Sequence, residues 1–240
     1  MSGAIRLAAL VSGSGTTAFS ILNQTLEGGQ LHGLFGIPCL IASKPGIGAI
    51  HKFEGVGFTG NIYVREPSGY AGPFGFADEL VKIMSYEKID LFGQYGWLPM
   101  TPAGVIKRFK GINQHPAPVP HFGGQGMYGL APHQAIINFA RMVDRPIMTA
   151  AIAQVVDELY DLGHILAEVP LLVNPEWSAE ELQKELLSLE WLCQMHALLR
   201  VSAYRNGFPP PVKSVFTLLP GEEEILVKAK AEAIRQYPHG

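Results

Sequence analysis

The chain has 240 residues with 18 Lys and Arg against 21 Asp and Glu, a net charge of -3, and is 48% apolar and 16% charged. Such a composition can bury a large core and excludes a disordered protein, and its charge gives no general attraction for nucleic acid or anionic lipid. No apolar run approaches the roughly 20 residues of a membrane span, and the stretch after Arg6 stops at Ser12-Gly13, short of a signal peptide, so a soluble cytoplasmic protein is expected.

In chain order, Ile5 to Val11 is a continuous apolar run closed by Gly-Ser-Gly, the pattern of a strand buried on both sheet faces. Thr16 to Leu26 has helical spacing through Phe19, Leu22 and Leu26, and Gly28-Gly29 ends it. Ile37 to Ala42 is a second buried strand. Residues 43 to 75 are rich in Gly and Pro, with one strand-like run at Asn61 to Val64. Phe76 to Ser85 predicts a helix, Ile89 to Phe92 a strand, and Ile112 to His115 another strand stopped by Pro116. Pro132 to Met142 predicts a helix, and Ile147 to Val155 with His164 to Val169 predicts a hairpin. Ser178-Ala179-Glu180-Glu181 is a capping box opening a helix to about Tyr204. Beyond Pro209-Pro210-Pro211, Val212 to Leu219 predicts a last strand and Glu222 to Arg235 a last helix. Alternating strands and helices predict an α/β fold with an open, mostly parallel Rossmann-like sheet and an antiparallel C-terminal portion. The expected division is residues 1 to 205 as the catalytic domain and 206 to 240 as a short extension packed on it. Cys39 and Cys193 have no metal-type spacing and read as buried, reduced thiols, and no metal is expected.

Three segments carry chemistry. Ser12-Gly13-Ser14-Gly15-Thr16-Thr17-Ala18 lies between a strand and a helix, where backbone N–H groups and hydroxyls can cradle a phosphate, although an ordinary turn uses glycines too. It also fits a relaxed dinucleotide fingerprint. The second strand ends in Ser43-Lys44 rather than an acid, which removes the NAD ribose partner but leaves Lys44 for a 2′-phosphate. In Asn113-Gln114-His115-Pro116, residues two apart on a strand face one side, so Asn113 and His115 project together at a strand end. An amide N–H can stabilise an oxyanion while an imidazole moves a proton, a pair suited to acyl transfer. Asp161-Leu162-Gly163 joins two apolar runs and reads either as a hairpin loop or as a carboxylate that orients His115 or a water.

In this order, Ser12-Gly13-Ser14-Gly15-Thr16, Asn113-Gln114-His115-Pro116 with Pro120, and Asp161-Leu162-Gly163-His164-Ile165 resemble the folate-dependent formyltransferases over about residues 5 to 205. The resemblance is closest to the glycinamide ribonucleotide branch of purine synthesis. It implies 10-formyltetrahydrofolate as co-substrate and a small phosphorylated amine as acceptor. It implies Asn113 as the oxyanion donor, His115 as proton carrier and Asp161 as the group that positions it. The pterin is then expected against Tyr95, Trp97, Leu98 and Pro99 and against Val155, Asp157 and Leu159. The acceptor is expected on Gly13, Ser14, Gly15, Thr16 and Thr17, with Gln114 and Glu190, the latter otherwise a solvated helix position.

Departures concentrate on the acceptor side. Thr17 stands where the family usually has Asn, Tyr160 is an extra residue before Asp161, and the segment His121 to Gly129 replaces a shorter one, as a flap or a longer surface loop. His133 and His164 read as packing or surface residues. Formyl transfer to a nucleotide-linked amino sugar is the alternative within the family, and an NADP-dependent reductase using the Gly13–Gly15 loop and Lys44 is the alternative outside it. Methionyl-tRNA formylation would call for a sizeable further domain and a basic face. The partners expected are small molecules, with no nucleic acid or membrane; a homodimer is compatible with the sequence.

Overall fold

The computed structural model describes residues 3–204 and 207–238 and divides into two compact units, Met1–Gln114 and His115–Gly240.

In the first unit β1 (Ile5–Val11) is fully buried from Leu7 onward and lies between two parallel neighbours, β2 (Phe35–Ala42) and β4 (Leu91–Gln94). β3 (Asn61–Val64) adds in parallel beyond β2, and β5 (Lys110–His115) beyond β4. Parallel strands are covered on both faces, which is why β1 and β2 read as unbroken apolar runs rather than alternating ones. The covering helices are α1 (Thr16–Thr25), α2 (Gly48–Gly55) and α3 (Gly72–Tyr86), with a single turn, α4 (Ala103–Ile106), leading into β5. α2 falls inside the stretch whose Gly and Pro content predicted irregular chain. Ala49, Ile50 and Phe53 give it one buried face, and packing overrides its glycines. α3 starts four residues before the expected Phe76, with Pro73 in its first turn, where the missing N–H costs nothing.

The second unit holds α5 (Ala131–Met142), the antiparallel pair β6 (Met148–Val155) and β7 (Ile165–Leu172), α6 (Ala179–Ser202) and α7 (Glu223–Gln236). Within the first unit the strand order is β3-β2-β1-β4-β5, and in the second β6 pairs with β7. The capping box of α6 is formed on both sides, Glu181 N donating to Ser178 Oγ at 3.2 Å and Ser178 N to the Glu181 carboxylate at 2.7 Å. α7 packs on α5 within this unit.

One expected element is not formed. Residues 212–219 contain no strand. Proline donates no N–H, so the preceding Pro209-Pro210-Pro211 cannot start a ladder. The segment beyond these prolines is held by single bonds: Val212 N to Ile165 O at 2.9 Å, then Ser214 Oγ and Val215 N to the Glu168 carboxylate, each at 2.9 Å. Both cysteines are buried and unbridged, and burial pushes each thiol up to about 12. No helix among the described residues is long and apolar enough to cross a membrane, and no group of three metal-ligating side chains occurs among them.

Candidate active site

In the first unit the chain leaves β1 through Ser12, Gly13, Ser14 and Gly15. Ser12 ties three strand ends together. Its N–H donates to Gly96 O at 3.1 Å, and its hydroxyl oxygen accepts from Ser43 Oγ at 2.7 Å and from Leu98 N at 2.9 Å. Gly15 precedes α1 in the left-handed region with φ 63°, and a Cβ there would lie 2.4 Å from the Ala49 Cβ of α2. Glycine is therefore required at 15 for space as much as for turning. No side chain caps α1, so its first turn keeps the dipole and donors that favour an anion. Gly13 and Ser14 are exposed and Thr16 half-buried, whereas Thr17 is 4% exposed and turned into the core.

Beside this turn lies a cavity of about 600 Å³ lined by Ser12, Ser43, Lys44 and Ser68 and walled by Phe76, Leu98 and Met100 with several prolines. Lys44 is the cation at its edge. Of the residues expected to meet a pterin here, Leu98 is exposed and Pro99 half-buried, and both line this cavity. Tyr95 and Trp97 are only 3% and 8% exposed. They pack inward: Trp97 stacks on Phe76 at 6.3 Å, and the Tyr95 ring occupies the space over Gly93.

β5 carries Asn113 half-buried and His115 buried, two residues apart and so on one strand face. Gln114, half-buried, alternates to the opposite face. In the second unit His115 faces two acceptors. Its Nε2 lies 2.9 Å from Phe122 O, and its Nδ1 lies 3.6 Å from Asp161 Oδ1. A carbonyl can only accept, so Nε2 carries the hydrogen of that bond and Nδ1 is the nitrogen on the Asp161 side.

Asp161 is fixed with unusual firmness. Its Oδ1 accepts from Gln154 Nε2 at 2.7 Å and its Oδ2 from Gly124 N at 2.9 Å. Its backbone is left-handed, φ 55°, which a residue with a Cβ adopts at a cost. Val155 N donates to His164 O at 3.0 Å and closes the loop that presents it. On that loop Val155 is half-buried, while Asp157 and Leu159 are exposed and linked by a Leu159 N–H to Asp157 Oδ1 bond of 3.1 Å. Leu159, Tyr160 and Leu162 expose apolar surface.

Two further groups sit deep in this unit. Glu190, 7% exposed on α6, is no solvated position, and burial pushes its carboxyl up to about 8. His133, 1% exposed on α5, is pushed down to about 3 by burial and then by the His115 charge, so it is a neutral packing residue. Sequence reasoning missed Gln154, 1% exposed, and the carbonyl of Phe122. A lone amide inside the apolar run of β6 was the available signal for the first, because a buried polar group demands a partner. Nothing in a sequence points to a carbonyl.

The family model for formyl transferase matches residues 5–198. Two curated relatives are chloroplastic phosphoribosylglycinamide formyltransferases. The one from Vigna unguiculata is 32% identical over 192 residues, 77% of this chain and 57% of that protein. The one from Arabidopsis thaliana is 29% identical over 190 residues, 77% of this chain and 61% of that protein. The matches thus take in about three fifths of the relatives' lengths. Among solved structures, glycinamide ribonucleotide transformylase 1 from Symbiobacterium toebii superposes with a TM-score of 0.73 at 20% identity, over 84% of this chain and 89% of that one. Phosphoribosylglycinamide formyltransferase from Bacillus halodurans gives 0.70 at 23%, over 84% and 97%. These likenesses confirm the expected fold, and with a family match over most of its length the chain belongs to the formyl transferase family.

Proposed function

We propose that the chain transfers the formyl group of 10-formyltetrahydrofolate to the primary amine of a small phosphorylated acceptor, with glycinamide ribonucleotide the leading candidate. The observation that carries this reading is the buried His115–Asp161 pair, with Asp161 locked in left-handed backbone by Gln154 and Gly124. A carboxylate fixed at that cost next to an imidazole is built for proton handling.

Leu98 and Pro99 of the first unit keep their assignment to the folate, and so, on the second unit taken by itself, do Val155, Asp157 and Leu159; Leu98 and Leu159 each expose apolar surface. Tyr95 and Trp97, both buried, act by packing the chain on either side of Gly96. When bound, the folate supplies a formyl carbonyl open to attack by an amine. The Asn113 amide N–H donates to the charge that develops on the carbonyl oxygen. His115 Nδ1 takes the proton that the amine releases while Asp161 compensates the charge on the ring, and return of that proton to the folate N10 as the formyl C–N10 bond breaks leaves the formylated amine and tetrahydrofolate. On the acceptor side, Gly13, Ser14 and Thr16 with the start of α1 face the phosphate, and Lys44 adds a positive charge at the cavity edge. Gln114 and Glu190 keep their assignment to the acceptor, and Thr17 acts by packing the turn. Residues 206–240 are proposed to extend the catalytic domain, and the protein is proposed to work in the cytoplasm on small molecules.

The test is an assay of formyl transfer from 10-formyltetrahydrofolate to glycinamide ribonucleotide, run beside nucleotide-linked amino sugars and an NADPH titration. Formylation of glycinamide ribonucleotide is expected. Formylation of an amino sugar alone would move the substrate within the family, and NADPH binding without folate binding would overturn the proposal.

A further inference from the structure

Three consecutive residues of the loop after β5 each send one bond outward. The Phe122 carbonyl accepts from His115 Nε2 at 2.9 Å, the Gly123 carbonyl accepts from Lys230 Nζ at 2.8 Å, and the Gly124 N–H donates to Asp161 Oδ2 at 2.9 Å. The middle bond comes from α7, a helix that lies outside residues 5–198, the span of the family match. Gly123 sits so close under Asp161 that a Cβ there would lie 2.5 Å from the Asp161 Cβ. A small shift of the Gly123 carbonyl therefore moves the two neighbouring groups that bind His115 and Asp161, the Phe122 carbonyl and the Gly124 N–H.

The same C-terminal segment backs this loop elsewhere. The Phe122 ring packs against Phe216 at 5.1 Å, and the space beside Gly126 is filled by Ile234 of α7. Lys230 is different: its ammonium is half-buried, burial lowers its pKa, and the Asp161 charge pulls the other way. Desolvating an ammonium is costly unless the charge is used. The other titratable group it faces is His121, which burial and the Lys230 charge hold low.

We infer that Lys230 is a positioning residue for the His115–Asp161 pair, fixing the Gly123 carbonyl and thereby the flanking groups that bind the imidazole and the carboxylate. The kinetic part of this inference rests on the proposed formyl transfer; the structural part does not. Lys230→Met should lower kcat about 10- to 100-fold while the acceptor KM changes less than about threefold, because misplacement of catalytic groups acts on the chemical step. It should also speed hydrogen exchange of the Gly124 amide, read by NMR on folded protein. Lys230→Arg, which can still donate to the carbonyl, should recover most of both. A Lys230→Met protein with kcat within twofold of the parent, or with Gly124 protection unchanged, would overturn the inference. If the parent chain formylates no acceptor, the function reading fails, and the Gly124 exchange rates still decide the role of Lys230.

Discussion

The turn from Ser12 to Gly15 and the loop from Val156 to Gly163 both come after a buried strand, and both contain a left-handed residue. In the first that residue is Gly15, for which the conformation costs little, and the nearby Ala49 explains why glycine is needed. In the second it is Asp161, for which the conformation costs about 1 kcal/mol or more, offset by bonds from Gln154 and Gly124. The first loop is shaped by steric fit and leaves its donors open to an anion. The second holds a carboxylate in left-handed backbone against an imidazole.

Substitutions can break this contrast at either end. The largest effect is expected at the strained pair. His115→Ala and Asp161→Asn should each lower kcat by about 10³- to 10⁴-fold, since an amide in place of the carboxylate neither compensates the ring charge nor accepts with both atoms. Steady-state assays on variants shown to be folded check this. Asn113→Ala should cost about 100- to 1,000-fold as the loss of one oxyanion donor. Gln154→Leu removes one anchor of Asp161 while filling the buried site, and about a tenfold loss of kcat with little change in Tm is expected. At the other loop the effect should fall on binding. A Cβ at Gly13 would meet nothing within 4 Å, so Gly13→Val should raise the acceptor KM about tenfold at unchanged Tm, as the side chain intrudes where the phosphate is proposed to lie. An unchanged KM would reduce this loop to an ordinary turn. Gly15 is unsuitable for that test, because the contact with Ala49 would confound binding with folding.

A further effect is expected on stability rather than on turnover. Burial raises Glu190 from 4.5 to about 8, so the folded chain binds the extra proton across that window. A raised carboxyl favours folding while it stays protonated, and the stability it lends falls as pH rises from 4.5 towards 8, by at most about 1.4 kcal/mol per pH unit. Glu190→Gln should flatten that slope in urea titrations at pH 5, 6.5 and 8.

Much of the fold was legible because its signals are local. β1 showed as an unbroken apolar run, α6 as a capping box, and the β6–β7 pair as two runs joined by an Asp-Gly loop. α2 was not, since its glycines argue for a loop and its buried face forms through contacts such as Ala49 beside Gly15 and Phe53 against Phe19 and Phe58. The expected strand at 212–219 failed for a related reason: its β-branched residues look right, but the three prolines before it and the Glu168 carboxylate take the places of a ladder. At the candidate site, the shared strand face of Asn113 and His115 was legible through spacing, and the approach of Asp161 to His115 only through resemblance. The bonds of Gln154 to Asp161, of the Phe122 carbonyl to His115 and of Lys230 to Gly123 were not, because each is a single contact that no local spacing or periodicity announces, the first two spanning seven residues and the third 107.

The central claim is that the His115–Asp161 pair drives formyl transfer. Single-turnover transfer from 10-formyltetrahydrofolate to glycinamide ribonucleotide, measured on the parent chain and on Asp161→Asn with folate bound to both, tests it most directly. Rapid formylation by the parent is predicted, with a drop of about 10³-fold or more in the variant at similar folate affinity. Equal rates in the two proteins would contradict it.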